Sequence, residues 1–363
     1  MARESDCRQA GFEERWPGLR PAGPHPNPFV ETKPMEPTMS YAAARQIGVD
    51  EIPVIDVSAL AGSDPAAILE TGRQMRAASE GVGFFYVAQH GIPQATVDRA
   101  FAVSKAFFSL PFDRKADVKV NGLHRGFIGM GGAKMVGEKK PDLKESFVWG
   151  LELPPEDPDV AAGKSLMGPN QWPDFAPELQ GALYDYYLHT LDCGRRLLKG
   201  LAASLGRPHD FFETAFAKPL ARGGSIYYPP QPADMGAEQF GVAPHTDYGG
   251  LTLLAQDGVG GLQVLSKSGE WLTAHPVPGT LVINVGDLMG RWTNDRFNSN
   301  SHRVVNASGR ERQSIAIFFD PHYDTVVDPR DLLDDASEAK YPAITCGTYI
   351  VERFGKVFSY RKP

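Results

Sequence analysis

The chain has 363 residues, 42% of them hydrophobic, and a net charge of −7 with no basic stripe; that supports a sizeable core and argues against nucleic acid as a partner. Cys7, Cys193 and Cys346 lie far apart and form no zinc or C-x-x-C pattern, so the sequence reads as a reduced, cytoplasmic protein. No apolar run is long enough for a membrane span or a signal-peptide core.

Along the chain, residues 1–38 come first as an expected disordered extension: seven prolines fall between Pro17 and Pro37, with little periodicity. Met39 is a candidate start, because the patterned sequence begins soon after it. Residues 39–160 read as a helix-rich region. Pro65 opens a helix reaching about Ser79, residues 83–87 form a short apolar strand, and Val97, Phe101 and Phe108 recur at helical spacing up to a stop at Pro111. Residues 161–363 read as a strand-rich core, forming one structural unit with 39–160 and carrying a C-terminal helix. The spacing of Leu179, Leu183, Tyr187, Leu197 and Leu201 predicts a long supporting helix over 175–205. Short strands follow at 224–228, 251–255, 261–265, 280–285, 302–306 and 314–319, with Lys267-Ser268-Gly269-Glu270 as a hairpin turn. Many short strands with glycine-rich turns predict an α+β fold around a sandwich or jelly roll. The absence of βαβ alternation and of a dinucleotide-binding glycine fingerprint counts against a Rossmann dehydrogenase.

One constellation carries chemistry. His245-Thr246-Asp247 is followed, after 54 intervening residues, by His302 and then by Arg312-Gln313-Ser314. Two imidazoles and a carboxylate can hold one face of an octahedral ferrous ion and leave positions open for small ligands and O₂. In a strand, residues i and i+2 share a side, so His245 and Asp247 can converge, and Arg312 and Ser314 can grip a carboxylate together. Residues 304–310 look like a strand end and a turn, and a hairpin there would bring Arg312 and Ser314 back toward His302. H-x-D alone is a weak signal. A second copy, His322-Tyr323-Asp324, has no histidine after it and reads as a turn, with Asp324 bonding local backbone. His90, His189, His209 and His275 read as packed or surface histidines. Asp287, before Leu288-Met289, reads as a helix N-cap.

Further motifs occur in order along the chain: Ile52-Pro53-Val54-Ile55-Asp56, Gly83-Phe84-Phe85-Tyr86-Val87 with His90-Gly91-Ile92, Pro141-Asp142-Leu143-Lys144-Glu145 and Gly168-Pro169-Asn170-Gln171-Trp172-Pro173. Gly260-Gly261-Leu262-Gln263-Val264, Arg291-Trp292-Thr293-Asn294-Asp295 and His302-Arg303-Val304-Val305-Asn306 complete the set. With these and the constellation above, the chain resembles the iron(II)- and 2-oxoglutarate-dependent oxygenases of the isopenicillin N synthase-like superfamily over about residues 50–363.

The resemblance implies a distorted double-stranded β-helix (a cupin-like jelly roll) with flanking helices. It implies Fe(II) on His245, Asp247 and His302, with O₂ and 2-oxoglutarate as cosubstrates. The far carboxylate of 2-oxoglutarate would dock on Arg312 and Ser314, and Tyr228 matches a family tyrosine that bonds it. Ile226 departs from the asparagine that many plant members carry beside the oxoacid. The family lines its substrate pocket with the segment before the jelly roll and with the C-terminal region, which points to His124, Arg125, Phe127, Ser146, Val148, Phe318 and Asp320. The implied activity couples oxidative decarboxylation of 2-oxoglutarate, giving succinate and CO₂, to hydroxylation, desaturation or cyclisation of a small organic molecule. The implied protein is a monomer or weak homo-oligomer with no membrane or nucleic-acid partner. Three alternatives stay open: an oxoacid-independent oxidase of the isopenicillin N synthase type, an ethylene-forming enzyme that fragments 2-oxoglutarate, and a non-catalytic jelly-roll binding module.

Overall fold

The computed structural model describes residues 44–46, 52–231, 238–358 and 360. The readings of residues 1–38 as disordered and of Met39 as a start lie outside them. Met39–Pro363 make one compact unit.

In chain order come β1 (Arg45–Gln46), β2 (Val54–Asp56), α1 (Pro65–Glu80), β3 (Phe84–Ala88), α2 (Gln94–Phe108), α3 (Phe112–Ala116), β4 (Gly126–Ile128) and β5 (Glu145–Gly150). Next are α4 (Pro158–Ala161), α5 (Pro177–Ser204), α6 (Glu213–Phe216), β6 (Arg222–Tyr228), β7 (Val242–His245), β8 (Leu251–Gln256), β9 (Leu262–Leu265) and β10 (Trp271–Ala274). β11 (Leu281–Val285), α7 (Asp287–Trp292), β12 (His302–Val304), β13 (Arg312–Phe319), β14 (Val326–Val327), β15 (Ile344–Thr345) and α8 (Cys346–Val357) close the chain. α1 begins as its sequence demands. Pro65 takes the first position, where a missing N–H costs nothing, and the Asp64 carboxylate accepts from Ala66 N at 3.0 Å.

Two sheets face each other. The larger runs β2-β3-β11-β8-β13-β6-β5-β4 and the smaller β1-β10-β9-β12-β7. Period-2 alternation sorts the larger sheet's side chains. Phe85, Val87, Leu253, Ile283, Ile315 and Ile317 pack against Met75 of α1 and Leu183, Leu197 and Leu201 of α5. Their neighbours Phe84, Tyr86, Tyr228 and Val282 meet Val242, Leu262, Val264 and Val304 of the smaller sheet. The long helix therefore backs the larger sheet, and the space between the sheets is left for the site. This is the expected α+β jelly roll with flanking helices.

The structure corrects one connection. β12 pairs with β7 and β9, whereas β13 pairs with β6 and β8, so residues 305–311 cross between sheets and make no hairpin. Alternation in the sequence says which face a residue takes but not which sheet its strand joins. The turn at 267–270 does connect two paired strands, β9 and β10. Among the described residues, no helix is long and apolar enough to cross a membrane.

Candidate active site

His245 ends β7 and His302 begins β12, and the two are direct register partners in that antiparallel pair. Directly opposed residues have Cβ atoms about 5 Å apart, which explains how chain positions 57 residues apart bring their imidazoles to a ring separation of 4.2 Å. Asp247 lies just past the end of β7, so its convergence comes from the loop and not from strand alternation. That loop is held by the N-terminus of α7, where Asp287 N donates to Asp247 O at 2.7 Å and Leu288 N to Gly249 O at 3.0 Å.

The three side chains point one donor atom each at a common centre. Asp247 Oδ1 stands 3.8 Å from Nε2 of both histidines. Its other oxygen accepts from Thr252 Oγ1 at 2.6 Å and Asn284 Nδ2 at 2.7 Å, which fixes the carboxylate's rotation. His245 Nδ1 meets Ala243 O at 2.8 Å and His302 Nδ1 meets Asn300 O at 3.3 Å, leaving both Nε2 atoms directed at the centre. Burial, together with the neighbouring His302, drives His245 far below the usual imidazole range, so it stays neutral, the form that ligates metal. Burial raises Asp247, but the two histidines and the Thr252 and Asn284 bonds outweigh it and keep the carboxylate charged. This donor set fits a ferrous ion with open positions.

Arg312 and Ser314 begin β13 and face Tyr228 and Ile226 of β6. Arg312 is 1% exposed and, among the described residues, has no carboxylate partner. Its Nη2 donates to Gln256 Oε1 at 3.1 Å, its Nη1 reaches Ser314 Oγ at 3.5 Å, and its Nε has no acceptor among the described residues. The guanidinium lies over the Tyr228 ring at 4.6 Å. A buried cation without a counter-charge is costly, and this one fits a carboxylate ligand.

Of the expected pocket residues, His124, Val148 and Phe318 line one cavity with His245 and Asp247. Four do not. Arg125 is spent on backbone, donating to Leu123 O at 3.0 Å, His124 O at 3.3 Å and Leu166 O at 2.8 Å. Phe127 points to the helix side and packs on Phe107 and Phe112. Ser146 is buried in β5 opposite Ile226 and does not reach the lining. Asp320 is fully buried behind it, accepting from Arg222 Nη2 at 2.5 Å and Gly250 N at 2.9 Å. The lining instead includes Lys144, Arg222, Tyr248, Phe354 and Phe358. Arg222 escaped the sequence reading because Gly223-Gly224 made β6 seem to begin after it.

Two other readings change. Asp287 is the first residue of α7, and Gly286 is the cap. Its carboxylate accepts from Ser299 at 2.7 Å and Thr246 at 3.2 Å, and Arg353 of α8 lies 3.6 Å away. The 322–324 segment is a turn, closed by Thr325 N to His322 O at 2.9 Å, but Asp324 takes the Lys164 ammonium and not local backbone. Asp159, His322 and Asp324 form a second cluster of metal-type donors. Lys164 and Lys218 sit in it, so it is a salt-link network with its charge already met.

Comparison with known proteins agrees with this geometry. Residues 52–175 match the N-terminal family described as non-haem dioxygenase in morphine synthesis, and residues 224–321 match the 2OG-Fe(II) oxygenase superfamily. The chain belongs to the 2-oxoglutarate/Fe(II) oxygenases. It is 37% identical to the 2-oxoglutarate-Fe(II) type oxidoreductase hxnY of Emericella nidulans, across 85% of this chain and 92% of that one. It is 34% identical to a homoarginine-6-hydroxylase of Oryza sativa, across 83% and 96%. A full-length Neurospora crassa protein solved with alpha-KG superposes with a TM-score of 0.76 at 28% identity, covering 85% of this chain and 98% of that one. This 2-oxoglutarate/Fe(II) oxygenase is a non-haem dioxygenase that couples oxidative decarboxylation of 2-oxoglutarate to oxidation of a small organic molecule.

Proposed function

We propose that His245, Asp247 and His302 are the iron ligands of this dioxygenase, and that Arg312, Ser314 and Tyr228 receive the far carboxylate of 2-oxoglutarate. The observation that carries the assignment is the common centre of two Nε2 atoms and Asp247 Oδ1, with all three side chains held from behind. When bound, iron and 2-oxoglutarate supply the oxidising power, with succinate and CO₂ as co-products. The chain's own residues orient and enclose. Thr252 and Asn284 keep Asp247 turned to the metal, Arg312 neutralises the oxoacid, and Phe318, Phe354 and Phe358 shield the substrate from water. His124, Val148 and Phe318 are retained as substrate contacts, and Arg125, Phe127, Ser146 and Asp320 are assigned supporting roles. A small-molecule substrate suits a cavity of about 110 Å³. We place the enzyme in the cytoplasm as a monomer or weak homo-oligomer.

The test is iron content per chain after anaerobic reconstitution, with succinate formation alongside. His245→Ala and His302→Ala are expected to lose iron and turnover, since each leaves two ligands. His322→Ala, in the lysine-filled cluster, is expected to keep both. Full iron and normal rates in the first two would sink the assignment.

A further inference from the structure

We infer that Arg222 is the specificity-determining residue of this oxygenase, and that its substrate is a flat, aromatic-type molecule carrying a carboxylate that docks on Arg222. The inference rests on the proposed ligand roles above, because the same cavity wall holds His245, Asp247 and Arg222. Arg222 opens β6 and is 4% exposed. One of its nitrogens serves Asp320 at 2.5 Å, while Nη1 and Nε are buried with no acceptor among the described residues. Two unsatisfied charged donors in a protein interior are expensive unless a ligand supplies the missing acceptor. Both bidentate edges of a guanidinium share Nη2, and Asp320 takes one N–H of it, so one edge, completed by Nη1 or by Nε, is left to match the two oxygens of a carboxylate.

The fork is also fixed in place. Its carbon lies 4.7 Å from the Phe354 ring centre and 5.6 Å from that of Phe318, and Asp320 holds it from behind. Charge decides the ligand's sign. The acidic groups around this cavity are already engaged: Asp247 at the iron centre, Asp320 with Arg222, Asp142 with Lys144 at 3.2 Å, and Asp287 with Arg353 at 3.6 Å. Among the described residues, none is left for a cationic substrate, whereas donors are left for an anion. The remaining wall is Tyr248, Phe318, Phe354 and Phe358, whose rings suit a flat apolar body stacked between them.

Benzoate, neutral benzamide and cationic benzamidine share one ring and differ in charge, so they serve as probes. Each is titrated calorimetrically into the anaerobic Fe(II) protein with saturating 2-oxoglutarate, which keeps the probe off Arg312. Benzoate is expected to bind on the order of tenfold or more tighter than benzamide, with benzamidine weakest. Arg222→Gln is expected to erase the benzoate preference and leave the 2-oxoglutarate affinity and iron content unchanged, and Arg222→Lys to restore part of it. Because Arg222→Gln leaves Asp320 buried without its partner, the double variant Arg222→Gln/Asp320→Asn is measured beside it. A preference for benzamidine, no preference, or a benzoate affinity that ignores Arg222 overturns the inference. Iron and 2-oxoglutarate uptake in the same samples separates the two readings. Wild-type protein that takes up neither overturns the ligand assignment together with this inference, whereas normal uptake without a benzoate preference overturns this inference alone.

Discussion

Arg312 and Arg125 are both almost fully buried arginines, and their surroundings give them opposite roles. Arg125 satisfies three backbone carbonyls and helps close the 121–125 turn, and burial pulls its guanidinium down to about 10. Among the described residues, both leave Nε without an acceptor, but Arg312 spends its other nitrogens only on the Gln256 and Ser314 side chains, lies over the Tyr228 ring, and has no carboxylate partner. Arg312→Ala is therefore expected to raise the KM for 2-oxoglutarate by roughly thirty- to a thousand-fold, corresponding to a lost charge-assisted contact of about 2–4 kcal/mol, with iron still bound. Arg312→Lys should recover part, and Ser314→Ala should cost about 1 kcal/mol. Arg125→Ala should instead lower the melting temperature by an amount equivalent to about 1–3 kcal/mol, from buried acceptors left unpaired, with little change in that KM. Steady-state kinetics and thermal melts on the same preparations check both. The triad and the R-x-S pair were legible because their residue types and order are unusual together. The Arg125 role was not, since nothing in a linear sequence says which carbonyls will surround a side chain.

At the scale of elements, the approach of α1 to α5 is set by glycine. Gly72 of α1 meets Gly200 of α5, and a Cβ on Gly72 would run into the Gly200 carbonyl oxygen. Gly72→Ala is expected to destabilise by about 1–3 kcal/mol through overpacking, visible as a lower urea midpoint, with the iron site intact. An unchanged midpoint would mean that α1 can shift freely on α5. The α5 helix itself was readable from its periodicity, because 28 residues give many turns for the apolar stripe to repeat. β5 (Glu145–Gly150) is buried along its whole length and shows no alternation, so its pattern carried no strand signal. Hence Val148 was named through resemblance and not through its place in a sheet. The crossover at 305–311 was misread for a related reason: strand pairing is a non-local choice, and the local sequence of a turn resembles that of a crossing.

Across the whole molecule, one polar network ties the helix-rich half to the jelly roll. Asp157 and Asp159 flank the start of α4, Lys218 precedes β6, and His322 and Asp324 follow β13. Burial raises the Asp159 carboxyl, but bonds from Lys164, Lys218 and His322 outweigh it and hold the group well below the usual carboxylate range. A depressed folded-state value means that the unfolded chain takes up protons first. The stabilisation is thus complete above the unfolded value of about 3.9 and is lost as pH falls from there through the folded value. Asp159→Asn should melt below wild type at pH 7, and the gap between them should begin to close below about pH 4. Both proteins are melted with chelator present, so that acid-driven loss of bound metal does not enter the comparison. A gap that stays constant from pH 7 down to pH 3 would show that the network contributes through shape and hydrogen bonding alone, and that its charge does not hold the two halves together.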